Sequence, residues 1–197
     1  MMVGQHHVID AILKRRSVAP RRLTAPGPQE AEVKLIVQAA LAAPDHGRLR
    51  PWRFVLVRPQ DREALAEAFA AAARELDPNA AAEMVDREAE KARHGPVLVA
   101  VIVQIAGDHP VAPEAEQWAS AGAAVQNMLL AAEDLGFRAM IVSGRKVATT
   151  ALRKAFDLAN DEHLMGFVAI GTPSAESPPI TRPEPEAHLS VWSPSAS

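Results

Sequence analysis

Seven consecutive apolar residues, Val97-Leu98-Val99-Ala100-Val101-Ile102-Val103, set the strongest limit on what this chain can fold into. A strand with one face in water alternates apolar and polar positions. This run does not alternate, so both of its faces must be covered. Three more segments read as strands: Trp52 to Val57, Phe137 to Val142, and Leu164 to Ile170, the last ending at Gly171-Thr172-Pro173. The rest of the chain is helical in pattern, which predicts a helix-rich α+β protein. A length of 197 residues suits one domain, or one domain with an arm.

The helices come with recognisable ends. Residues 6–15 carry Val8, Ile9, Ile12 and Leu13 as a short apolar stripe. Across 28–42, Pro28 opens a helix, Glu30 and Glu32 fall in its first turn, and Val33, Ile36, Val37, Ala40 and Leu41 follow helical spacing until Pro44 stops it. Asp61 is expected to cap an Ala- and Glu-rich helix reaching Leu76, where Asp77-Pro78-Asn79 breaks it. Residues 80–94 predict a charged and therefore exposed helix. The helix over about 114–135 is nearly apolar all round in its middle, which points to burial on more than one side and to a subunit interface. Thr149 or Thr150 caps a short helix to about Phe156. From 174 to 197 the chain is proline-rich with few large apolar residues, so it reads as an extended arm or a disordered tail.

Composition narrows function mainly by exclusion. With no cysteine there are no disulfides, thiolate nucleophiles or zinc–thiolate sites, and a reducing compartment fits. A formal net charge of -3 gives no field for nucleic acid. No stretch approaches the roughly 20 apolar residues that span a bilayer, and the start lacks a secretory signal's apolar core. The expectation is a cytoplasmic protein with neither membrane nor nucleic-acid partner. The seven histidines show no metal-ligand spacing, so no metal is expected. Rossmann, P-loop and nucleophile-elbow motifs are missing. Glu133-Asp134 reads as a solvated helix end, since adjacent helical positions diverge by about 100°.

Three constellations remain. Arg15-Arg16-Ser17 closes the first helix; its guanidinium forks match phosphate oxygens, although an exposed arginine pair after a helix is common. Ala43-Pro44-Asp45-His46-Gly47-Arg48-Leu49-Arg50-Pro51-Trp52 is a polar loop running into a strand, equally readable as a plain connection. Met140-Ile141-Val142-Ser143-Gly144 ends a strand at a Ser-Gly turn, by chemistry alone a plain strand end.

In this order and spacing the three resemble the nitroreductase-like family of flavin enzymes, and within it a small single-domain subgroup with Pro-Asp-His in the loop. Gly166 to Pro173 matches that family's closing strand. The resemblance covers about residues 8–173 and implies a central mixed or antiparallel sheet of four to five strands flanked by helices. It divides the chain into an FMN-binding domain, 1–173, and an arm, 174–197. It places Arg15, Arg16 and Ser17 on the FMN phosphate and ribityl chain, Ala42 and His46 beside FMN, and Ile141, Val142 and Ser143 along the ring. The match departs at Arg48 and Arg50, which replace amides of the wider family, and at Val18-Ala19-Pro20-Arg21-Arg22, which carries about two extra residues. Arg182 is a further candidate for a phosphate, set against an exposed arm residue. The implied assembly is a homodimer with two interfacial FMN sites. The implied activity is an alternating NAD(P)H oxidoreductase passing two electrons to a nitroaromatic, a quinone or a similar small molecule, with no catalytic acid assigned. A related flavin reaction such as dehalogenation, and a flavin-binding dimer without turnover, stay open as alternatives.

Overall fold

The computed structural model describes residues 7–176 and 180–194. The apolar run becomes the middle of a sheet. β3 (Val97–Gln104) pairs on one side with β2 (Trp52–Val57) and on the other with β5 (Glu162–Pro173). β5 also pairs with β4 (Arg138–Val142), and its last residues pair with the two-residue β1 (Leu23–Thr24). All four ladders are antiparallel.

The lack of alternation in β3 has the expected consequence. Leu98, Ala100 and Ile102 join Phe167 and Ala169 of β5 under α3 (Arg62–Leu76) and α6 (Thr150–Ala155). Val99 and Val101 face the other way, with Val168 and Ile170, onto α2 (Glu30–Ala40) and α5 (Glu114–Asp134). Residues 98–103 are buried without exception. Two helical layers thus enclose one sheet, which α1 (His7–Lys14) and α4 (Ala82–Glu90) complete. No helix among the described residues is long and apolar enough to cross a membrane.

Several local expectations need correction. α2 begins at Glu30 rather than at Pro28, because Gln29 and Glu32 form a reciprocal capping box. Asp61 makes no side-chain cap; it ends a 3-10 turn, Pro59–Asp61, that leads into α3. α4 is charged but not simply exposed, since Val85 and the following Ala92 are buried. Thr149 does cap α6, its hydroxyl accepting from the Leu152 N–H. β1 had no readable signal, because two residues carry no periodicity.

Two arginines, Arg62 buried and Arg53 partly exposed, tie the layers. Arg62 donates to the carbonyls of Ala92 (2.8 Å), Gly95 and Pro96 (both 3.4 Å), closing the backbone before β3. Arg53 of β2 grips Glu162 at the start of β5 through two bonds of 2.6 and 2.8 Å. The Arg53 bond, together with the Ala159 N–H, holds the Glu162 carboxyl down at about 2 against the opposing effect of burial. That lies below the usual carboxylate value, so the pair's contribution is complete above about pH 5 and is lost as pH falls towards 2. Glu162→Gln is therefore expected to flatten the acid limb of the stability curve. At neutral pH it should cost about 1 kcal/mol, modest because the Arg53 side chain is 41% exposed. Chemical denaturation at a series of pH values checks both, and an unchanged acid limb would contradict the assignment.

Candidate functional site

The chain leaves α1 with a last helical bond from Arg15 N–H to Ala11 and then extends. Buried Val18 anchors the segment, and Ser17 makes a parallel bridge with Ala139 of β4. That bridge sets Arg15-Arg16-Ser17 alongside the strand that ends in Ile141-Val142-Ser143. Six of the eight expected site residues therefore lie in one neighbourhood. Arg15 Nη1 donates to Ser17 Oγ at 3.0 Å. The Arg16 N–H points at Glu133 Oε2 (3.5 Å), and Glu133 also faces Arg138 at 3.4 Å. Glu133 is thus no solvated helix end: only 14% of its side chain is exposed.

Arg16 Nη1 is buried and has no hydrogen-bond partner among the described residues. An orphaned buried donor costs about 1–3 kcal/mol, more when charged. Such a group calls for an acceptor, and one from outside the chain would supply it; Trp52 Nε1 and Arg62 Nε are likewise buried without a partner among the described residues. Arg182, from the arm, donates to the Arg15 carbonyl at 3.0 Å and to that of Leu13 at 3.4 Å, bringing a third guanidinium beside the pair.

The end of β4 is shaped by a glycine in β5. A Cβ on Gly166 would lie 2.6 Å from the Val142 carbonyl oxygen and 3.3 Å from both Ile141 and Ser143 side chains. The β3–β5 register shifts opposite this residue, between Val101 and Ile102. Ser143 then reaches back, its hydroxyl donating to the Met165 carbonyl at 2.7 Å. Gly166→Ala is expected to push the 142–143 turn outward at a cost of about 1–3 kcal/mol in stability, measurable as a fall in denaturation midpoint. A wild-type midpoint would show that the close approach is not needed.

Beyond the turn, a cleft of about 480 Å³ opens between the 19–21 segment, α4 and residues 142–146. Its floor is apolar, with Phe69, Leu98 and Phe167, whereas Arg21, Lys91, His94 and Lys146 line the walls. Lys146 lies 3.8 Å above the Phe69 ring and 3.3 Å from Glu88, which Lys91 also contacts. Burial pulls the Lys146 ammonium below its usual value, and Glu88 opposes that. Burial pushes the Glu88 carboxyl up, but Lys91 and Lys146 outweigh it and hold it below the usual range. The His94 imidazole is pushed down by burial; Glu90 resists, while Arg21, Lys91 and Lys146 reinforce the shift. Sequence reasoning missed these four groups: the spacing of Glu88 and Lys91 looks like an ordinary helical ion pair, and nothing local marks Lys146 as buried.

Ala42 and His46 lie elsewhere. Ala42 is exposed just beyond α2, and His46 opens a 3-10 turn, its Nδ1 2.5 Å from Glu116 Oε2 at the start of α5. Glu133, the neighbour of Arg16, follows Glu116 by seventeen residues on the same helix, about 25 Å along its axis. One chain therefore does not bring His46 to the arginine pair. Arg48 and Arg50, both exposed, adopt positive φ of 54° and 50°, which is costly for residues with a Cβ. A bond from Arg50 N–H to Asp45 Oδ2 at 2.6 Å holds the loop in that shape.

Comparison with known proteins places this geometry. Residues 12–172 match the model of the nitroreductase family. Two relatives carry the name "Putative NAD(P)H nitroreductase". YdjA of Escherichia coli (strain K12) is 31% identical over 189 residues, covering 93% of this chain and 98% of its own. The Haemophilus influenzae protein is 34% identical over 152 residues, covering 77% and 82%. Among solved structures, the nitroreductase-like family protein of Bacillus cereus superposes with a TM-score of 0.82 at 20% identity, covering 98% of this chain and 99% of its own. A nitroreductase structure from Desulfovibrio desulfuricans, solved in complex with FMN, gives 0.71 at 28% identity, covering 95% and 98%. By its strand order, its two helical layers and the match across residues 12–172, the chain belongs to the nitroreductase family.

Proposed function

We propose that this protein is an FMN-dependent oxidoreductase that takes two electrons from NAD(P)H and passes them, in a second step, to a small acceptor such as a nitroaromatic or a quinone. The observation that carries the reading is the orphaned, buried Arg16 Nη1 beside Arg15, Ser17 and Arg182, on a segment that runs on to Ala19, Pro20 and Arg21 in the wall of a cleft with an apolar floor and cationic sides. A phosphate monoester satisfies the first feature and a flat heteroaromatic ring the second. The FMN complex of the Desulfovibrio desulfuricans relative supports the same cofactor.

FMN, when bound, supplies the electron transfer; the protein's own residues bind, orient and shield it. Arg15 and Arg16 hold the phosphate, Ser17 is oriented by Arg15, and Arg182 adds charge from the arm. The 141–143 backbone, fixed by Gly166 and by the Ser143 bond to Met165, forms the edge along the ring.

Ala42 and His46 join the site from the partner chain of a homodimer, because in one chain His46 and Arg16 contact Glu116 and Glu133, about 25 Å apart along the axis of α5. One exposed apolar surface supports an assembly: Val8, Ile9, Ile12 and Leu13 of α1, none of which is buried. Residues 174–197 act as an arm, exposed throughout its described part.

The visible absorption spectrum of the purified protein, followed by NAD(P)H oxidation with a nitroaromatic acceptor, tests the reading. Bound yellow flavin and acceptor-dependent turnover are expected. A protein that neither carries nor takes up FMN sinks it; flavin without acceptor-dependent reoxidation leaves only the binding role.

A further inference from the structure

The cleft holds more positive charge than its own geometry consumes. Glu88 is its one carboxylate, and it is already engaged by Lys91 when Lys146 adds a second ammonium 3.3 Å away. The Lys146 side chain is only 12% exposed, and its Nζ lies over the face of Phe69. Lys146 ties the 145–148 turn to α4 through Glu88, while Lys91, one helical turn along from Glu88, shares the same carboxylate. Two ammoniums on one carboxylate, one of them desolvated against an aromatic floor, leave the cleft with positive charge that an anionic ligand would neutralise. His94 is held towards its neutral form, so it adds hydrogen-bonding capacity rather than charge. The cleft is thus matched to a flat apolar ligand that becomes negatively charged.

We propose that Lys146 faces the ring of FMN and stabilises its reduced, anionic form over its oxidised, neutral form, so that this lysine sets the cofactor's reduction potential. The inference rests on the reading that FMN occupies this cleft. Reduction by NAD(P)H delivers two electrons and one proton to the ring, which therefore gains one negative charge while the nicotinamide gains one positive charge. A nearby ammonium in a poorly solvated cleft favours the charged product and leaves the neutral starting form nearly untouched. Lys146 is not a proton donor in this scheme; Glu88, 3.3 Å away, opposes the effect of burial on its charge.

The test is anaerobic titration of the apoprotein with oxidised and with reduced FMN, for the wild type, Lys146→Gln and Lys146→Arg, together with the midpoint potential of the wild type across pH 5.5–7. Lys146→Gln should bind oxidised FMN within about threefold of wild type, but bind reduced FMN at least tenfold more weakly relative to it. A tenfold change is a fall of about 30 mV in a two-electron midpoint. Lys146→Arg should restore the ratio. The wild-type midpoint should change by about 30 mV per pH unit, one proton for two electrons, rather than about 59 mV.

Equal loss of both affinities in Lys146→Gln would reduce Lys146 to a structural tie and overturn the proposal. So would the steeper wild-type slope, which needs no variant to fold. Failure of the wild type to bind FMN at all would instead overturn the functional reading beneath it.

Discussion

Arg16→Met is expected to weaken FMN binding by about 3 kcal/mol, more than a hundredfold, while leaving the apoprotein no less stable. The two halves of that expectation share one cause. Nη1 of Arg16 is buried without a partner, so the chain without ligand carries the full desolvation cost of a charged donor. A methionine of similar length removes that cost, and with it the donor that a phosphate would meet. Arg15 should matter less: it is half-buried, one of its nitrogens already serves Ser17, and water can replace part of what it offers. About 1.5 kcal/mol is expected for Arg15→Ala. Fluorescence titration with FMN and thermal denaturation of the apoprotein check the pair. An unchanged dissociation constant for Arg16→Met would remove this residue from the site. A large fall in apoprotein midpoint would show that its role is structural.

Arg62→Met should cost the fold about 3 kcal/mol, the largest effect expected outside the cleft. Arg62 is buried and bonds the carbonyls of Ala92, Gly95 and Pro96, which have no strand of their own to join. Removing a charged donor leaves those acceptors unsatisfied in the turn that launches β3, the strand on which both cores are built. Burial pulls the Arg62 guanidinium below its usual value; three carbonyls accept from its Nη1 and Nη2, while Nε has no partner among the described residues. For a chain of this size the loss corresponds to roughly 6–12 °C in thermal midpoint. A midpoint within about 2 °C of wild type would show that water satisfies these carbonyls equally well.

Whether a residue was legible in the sequence depended on how locally its role is determined. The strand 97–103 was readable because burial on both faces needs only the absence of polar positions. Thr149 was readable as a cap because it bonds a group three residues away. Asp61 was misread because the 3-10 turn before α3 takes the place of a side-chain cap, which composition does not reveal. Glu133 was misread for a different reason: its neighbours Arg16 and Arg138 come from elements that its own helix does not predict. Lys146 and Glu88 are 58 residues apart and meet only because α4 folds over the turn beyond β4.

By itself, then, the sequence determined the layers: an apolar strand run, flanking amphipathic helices, and through three spaced motifs the family to which the chain belongs. These are properties of period and order, which the chain carries along its length. The tertiary structure decided everything that depends on charge being desolvated. It buried one nitrogen of Arg16, placed Lys146 over Phe69, and held His46 a helix-length away from the arginine pair. Desolvation is a property of what surrounds a group in space, and residues distant in sequence supply those surroundings.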